Sequence, residues 1–251
     1  MKQMLADIQY FLERLTLPQS DNARKRWVAE QLKRLPKGRR LLDAGAGECQ
    51  YEKYCEHLEY VSQDFAGYDG AGDGSGLQTG TRDSSKIDII SDIVSMPVKA
   101  KDFDAILCVE VFEHLPAPLE ALKEFSRVIK KDGVLILTAP FSSLTHYSPY
   151  YYYSGFSINF YKENLPKFGF EIDEVYSYGN YFDTVALELA RIPLVCIRTI
   201  GVLALPILLA YIFVLPAYIL LRVLSFIMPD SSQLACFGIC IRAHKTASSM
   251  V

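Results

Sequence analysis

The residues in this sequence best suited to chemistry begin with Asp43-Ala44-Gly45-Ala46-Gly47. They follow the short apolar run Leu41-Leu42 and precede a stretch expected to be helical over roughly 50–58. A glycine-lined bend between strand and helix lets the backbone pass close to a ligand that a Cβ would obstruct. A dinucleotide-binding bend would carry a third glycine at position 50, where Gln50 stands instead. Two acids follow where strands are expected to end: Asp64, 21 residues beyond Asp43, and Asp92 in Ser91-Asp92-Ile93. Next come Glu110, Glu113 and His114, and then His146. Carboxylates can accept hydrogen bonds from sugar hydroxyls or hold a cation, and a histidine can remove a proton near neutral pH.

The elements that position these groups follow from periodicity and punctuation. Amphipathic helices are expected over 3–15 and 20–35, the second with Trp27, Val28, Leu32 and Leu35 at helical spacing and Pro36–Gly38 as its stop. Strands are expected at 40–43, 59–64, 87–92, 103–109, 134–138 and 170–178, with helices over 119–129 and 161–168 between them. The run 103–109 is almost continuously apolar, as a strand covered on both faces must be. Strands alternating with helices imply a doubly wound, mostly parallel α/β sheet with right-handed crossovers. Residues 67–85, rich in Gly, Asp and Ser, read as a long loop or lid, and their likeness to a calcium loop lacks the bidentate Glu such a loop needs.

The Asp-x-Gly-x-Gly bend with Gln50, the acids at 64 and 92, FDAILCVEVFEHL (Phe103–Leu115) and KDGVLIL (Lys131–Leu137) together resemble the class I S-adenosylmethionine-dependent methyltransferases over roughly residues 40–140. The resemblance implies a Rossmann-like methyltransferase fold and S-adenosylmethionine as cofactor. It places Asp43, Gly45, Gly47, Asp64, Asp92 and Glu110 in the cofactor site, with Asp64 on the ribose hydroxyls and Asp92 near the adenine amino group. His114, after the fourth strand, and His146, after the fifth, are the catalytic candidates; either could instead cap a helix or satisfy a backbone carbonyl. The Glu-x-x-Glu-His stretch at 110–114 is similar to one read as a divalent-metal site in quinone-biosynthesis O-methyltransferases, but the acids could equally serve only to orient the loop, and no metal is assigned. The aromatic run Tyr147, Tyr150–Tyr153, Phe156 and Phe160 could line an acceptor pocket or simply pack a lid.

Residues 199–221 carry no charge over 23 positions, which as a straight helix would be about 35 Å long. Pro206 and Pro216 interrupt the stretch and Arg191, Arg198 and Arg222 flank it. Cys236–Lys245 resembles the last, antiparallel strand of a methyltransferase sheet, so the chain must return to the side it left. A hairpin or in-plane helices in one leaflet satisfy that requirement; a hydrophobic cover or dimer interface is the alternative. The expected organisation is N-terminal helices over 1–38, the S-adenosylmethionine-binding domain over 39–190, the apolar insert over 191–230, and the last strand and tail over 231–251.

Bulk properties narrow the function. The chain has 251 residues and a formal net charge of −3, without the basic face a general nucleic-acid binder needs. Its six cysteines form no CxxC pair and read as reduced thiols of a cytoplasmic protein. The expectation is therefore a methyltransferase at the cytoplasmic membrane face, acting on a small or lipid-linked acceptor, with its oligomeric state undetermined. Its rivals are a catalytically silent cofactor-binding scaffold anchored through the insert, and a nicotinamide oxidoreductase, which Gln50 disfavours.

Overall fold

The computed structural model describes residues 18–246. The helix expected over 3–15 lies outside them. The described chain divides into two compact units, residues 26–176 with 238–246, and residues 18–25 with 177–237.

The larger unit is built on a seven-stranded sheet. Its strands are β1 (Arg40–Ala44), β2 (Glu59–Asp64), β3 (Ile89–Ile90), β4 (Phe103–Val109), β5 (Ile129–Pro140), β6 (Phe170–Tyr178) and β7 (Gly238–Lys245), in the order β3-β2-β1-β4-β5-β7-β6. The first five are parallel. β7 pairs antiparallel with β5 from Val134 opposite His244 to Pro140 opposite Gly238. The fold is thus the doubly wound, mostly parallel sheet the sequence implies, with an apolar helical insert before the last strand. Leu41, Leu42, Ala105, Ile106, Leu107, Leu135, Ile136 and Leu137 are all fully buried, so β1, β4 and β5 are covered on both faces. Helix α1 (Pro18–Lys33) buries Trp27, Val28 and Leu32 on one stripe, and α2 (Pro118–Val128) buries Ala121, Leu122, Phe125 and Val128.

Four expectations need correction. Residues 50–58 are not a helix: the chain makes only a 3₁₀ turn at Glu52–Tyr54, because a single turn suffices to bury Tyr51 and Cys55. Lys130-Lys131-Asp132-Gly133, which reads in sequence as the stop after the helix over 119–129, lies instead within β5, where Asp132 takes φ +61° and the pairing with β4 shifts register between Phe103 and Ala105. The strand expected over 87–92 shrinks to Ile89–Ile90, a short edge strand whose Ile90 side chain is exposed. The helix expected over 161–168 is instead α3 (Ile158–Asn164) followed by a 3₁₀ turn at Pro166–Phe168.

In the smaller unit α4 (Tyr181–Ile200) is followed by α5 (Leu205–Ala210) and α6 (Leu215–Ile227). Pro206 and Pro216 each sit in the first turn of a helix after a 3₁₀ turn, so the breaks fall where proline's missing N–H costs nothing. Asn180 caps α4, accepting from Asp183 N–H at 3.1 Å, and its Nδ2 donates to the Ser225 carbonyl at 2.7 Å. Asp183 also accepts from Ser225 Oγ at 2.6 Å and pairs with Arg222. These contacts join the base of α4 to α6. Beyond them the surface is apolar: Leu203, Leu209, Ile212, Ile219 and Leu220 are exposed, Phe213 at 83% and Phe226 at 88%. Phe237 N–H donates to the Tyr178 carbonyl at 2.9 Å, so the insert leaves and re-enters the chain at hydrogen-bonded neighbours.

Candidate active site

Parallel strands end on one edge of the sheet, and register places Asp43 beside Leu107, Asp64 beside Ile90, and Val109 beside Thr138 along it. The bend after β1 is tied to β2: the N–H groups of Gly45 and Ala46 both donate to the Gln63 carbonyl, at 2.8 and 2.9 Å. Gly45 and Gly47 have φ of +77° and +58°. A Cβ on Gly45 would lie 2.5 Å from a Val111 methyl, which excludes larger residues, whereas one on Gly47 would meet only the movable end of Arg82, at 2.7 Å from Nη2, and there the positive φ favours glycine.

Asp43 is buried and accepts from Tyr60 Oη at 2.6 Å. Burial pushes its carboxyl up to about 7, the Tyr60 hydrogen bond opposing that and the Asp64 charge adding to it. Asp64 is also buried. Its Oδ2 accepts from Gly47 N–H at 3.0 Å and from Arg82 Nη2 at 3.2 Å, and its Oδ1 from Ala66 N–H at 2.9 Å. The Arg82 guanidinium lies over the rings of Tyr68, at 5.6 Å, and Tyr147, at 6.0 Å.

Arg82 was not among the sequence candidates, since one arginine in a Gly/Asp/Ser-rich segment carries no periodic signal. That segment is anchored: Leu77 N–H donates to the Thr145 carbonyl and Tyr147 N–H to the Leu77 carbonyl, both at 2.9 Å. Asp92 follows β3 at the same sheet edge, is exposed, and accepts from Val94 N–H at 3.1 Å in a local turn. Glu110 follows β4 with φ +54°, and its Oε1 accepts from Thr138 Oγ1 at 2.8 Å.

The two histidines meet. Their rings are 4.7 Å apart and nearly perpendicular, and Tyr147 stacks on His114 at 5.1 Å. His114 Nδ1 lies 2.6 Å from the Tyr150 carbonyl, and His146 Nδ1 lies 2.8 Å from the Leu144 carbonyl. A carbonyl only accepts, so each Nδ1 carries the hydrogen and each neutral ring keeps a lone pair on Nε2. Those Nε2 atoms lie 3.8 and 3.9 Å from Glu113 Oε1, on a side chain that is almost wholly buried. Burial, then the neighbouring His146 and Arg82, lower the His114 imidazole to about 4 against the pull of the Tyr150 carbonyl. Burial likewise lowers His146. Both rings are therefore neutral at pH 7.

The carbonyl contacts expected as an alternative role for the histidines thus exist, but they occupy only Nδ1. Of the acids in the Glu-x-x-Glu-His stretch, Glu113 joins the histidines, whereas Glu110 turns to Thr138. The aromatic run divides: Tyr147 and Tyr151 pack on the histidine rings, while Phe156 packs with Phe112, Phe160 and Tyr161.

Comparison with known proteins places this edge in a family. A family model described as a methyltransferase domain matches residues 13–183. No curated protein is similar to the chain in sequence. Among solved structures, a SAM-dependent methyltransferase from Archaeoglobus fulgidus superposes with a TM-score of 0.53 at 17% identity, covering 94% of this chain and 99% of that one. The [4+2]-cyclase SpnF superposes with a TM-score of 0.51 at 17% identity, covering 88% of this chain and 80% of that one. At such identity the superpositions speak for the fold, and the domain match carries the activity. The chain belongs to the class I S-adenosylmethionine-dependent methyltransferases, and S-adenosylmethionine is its cofactor.

Proposed function

We propose that this methyltransferase acts on an oxygen of a lipid-linked acceptor at the cytoplasmic membrane face. The observation that carries the chemistry is the pair of neutral imidazoles whose Nε2 lone pairs converge beside Glu113. The chain's residues fit the cofactor: the glycine bend admits backbone close to a ligand, Asp64 offers carboxylate oxygens for ribose hydroxyls, and Arg82 offers a guanidinium for a carboxylate. S-adenosylmethionine supplies, when bound, a methyl group made electrophilic by the sulfonium. His114 or His146 would accept at Nε2 the proton that the acceptor's hydroxyl gives up on methylation. Tyr147 and Tyr151 hold the imidazole rings, and the strand-end acids orient the nucleoside.

The acceptor class rests on the insert. Leu205–Ile227 is long and apolar enough to cross a membrane and has no part buried within the protein. Because the excursion that contains it starts and finishes at the paired residues Tyr178 and Phe237, seating the helices as a hairpin in one leaflet leaves both ends on the same side. A lipid-linked acceptor would reach an enzyme so seated without leaving the membrane. Incubating the protein with a membrane extract and methyl-labelled cofactor tests this: label should enter the organic phase, and label confined to the aqueous phase contradicts a lipid-linked acceptor.

A further inference from the structure

We propose that Glu113, His114 and His146 form a binding site for one divalent transition-metal ion. The three residues each present one ligand atom, and these atoms lie within 4.8 Å of one another. They come from two separate places, the turn after β4 and the segment after β5, so convergence is a product of the fold rather than of local sequence. Each imidazole is fixed by an Nδ1–H donated to a backbone carbonyl, Tyr150 for His114 and Leu144 for His146. That is the arrangement by which metal-bound histidines are normally oriented, with the tautomer set so that Nε2 faces the ion.

The set is preformed but slightly open. Bonds of about 2.1 Å at tetrahedral angles require ligand atoms roughly 3.4 Å apart. The Nε2 atoms stand 3.8 and 3.9 Å from Glu113 Oε1, and all three ligand atoms lie within 4.8 Å of one another, so contraction of the side chains onto an ion would close the site. Two imidazoles and one carboxylate suit zinc, iron, cobalt or manganese better than magnesium or calcium, which prefer oxygen alone. Three protein ligands leave positions open for an acceptor oxygen, whose proton affinity the ion would lower; with the ion bound both Nε2 lone pairs are taken up, and that lowering replaces proton acceptance by the imidazoles. That last role rests on the O-methylation reading above; metal binding itself does not.

The experiment uses the full-length protein in detergent, stripped with a chelator and titrated with cobalt(II). One equivalent should bind, with a visible d–d spectrum showing histidine nitrogen in the coordination sphere, and zinc should displace it. His146→Gln should weaken binding by on the order of 100-fold or more, as should Glu113→Gln. Retained affinity for S-adenosylmethionine would show that each variant is folded. His146 lies in a partly exposed segment, so its variant keeps the test open if the buried Glu113→Gln does not fold. No uptake by the wild type, or uptake undiminished in folded His146→Gln, overturns the site. Stoichiometric metal without methyl transfer would leave the site standing and reject the function; transfer by a protein that takes up no metal would do the reverse.

Discussion

The backbone N–H of Gly47 donates to Asp64 Oδ2 at 3.0 Å, so the glycine bend after β1 and the acid ending β2 are one unit. Substitution at Asp64 therefore releases the bend and, on the proposed role, removes the ribose acceptor with it. Asp64→Ala should weaken S-adenosylmethionine binding by about 1–3 kcal/mol, measured by titration calorimetry. Unchanged affinity would take Asp64 out of the cofactor site.

Arg82 donates to the same carboxylate oxygen at 3.2 Å, and both side chains are largely withdrawn from solvent. Asp64 keeps its two backbone donors when the guanidinium is lost, which limits the damage. Arg82→Ala should lower unfolding free energy by about 1–2 kcal/mol in urea denaturation without ligand. A change within ±0.5 kcal/mol, as expected for an ordinary surface site, would show that the pair does not hold the 67–85 segment.

Asp43 makes stability depend on pH in a direction opposite to that of an ordinary paired carboxylate. Its carboxyl is raised from 3.8 to about 7 in the folded protein, chiefly by burial. The contribution is fully present below the unfolded value and is lost as pH rises to about 7, because over that range the folded state still holds a proton that the unfolded chain has given up. The total swing is on the order of a few kcal/mol. Between pH 5 and pH 8 the wild type should lose stability relative to Asp43→Asn, as measured by unfolding at each pH. Parallel profiles would mean that Asp43 is ionised throughout.

The insert can be removed at its base. Phe237 N–H bonds to the Tyr178 carbonyl at 2.9 Å, so a short glycine linker replacing residues 181–234 spans the gap without disturbing β6 or β7. The shortened protein should leave the membrane fraction and still bind cofactor. Phe213→Asp with Phe226→Asp should weaken association with liposomes in flotation, since the wild-type side chains are among the most exposed apolar groups described. Wild-type protein that stays soluble without detergent and ignores liposomes would contradict membrane seating.

Much of this is legible in the chain because the determining interactions are local. Buried strands such as Phe103–Val109 announce themselves as apolar runs, and the bend at 43–47 is a contiguous motif with a steric reason for each glycine. What escaped depended on distant contacts. Asp132 sits in the positive-φ position of a strand irregularity that reads in sequence as a turn. Arg82 acquires its role only because its loop is pinned to residues 145–147. His114 and His146 were separately visible as candidates, but their meeting at Glu113 follows from the parallel pairing of β4 with β5, which places the segments after both strands at one edge. For the same reason sequence proximity does not show that the Glu110 carboxylate turns to Thr138 rather than to the histidines.

The most direct measurement is the rate of methyl transfer to the membrane-extract acceptor by wild type and by the His114→Gln/His146→Gln double variant, at saturating cofactor. If these imidazoles prepare the acceptor oxygen, kcat should fall by roughly 10²–10⁴-fold while the Kd for S-adenosylmethionine stays within about twofold, a difference of only ~0.4 kcal/mol. Transfer at the wild-type rate by the double variant would contradict the account.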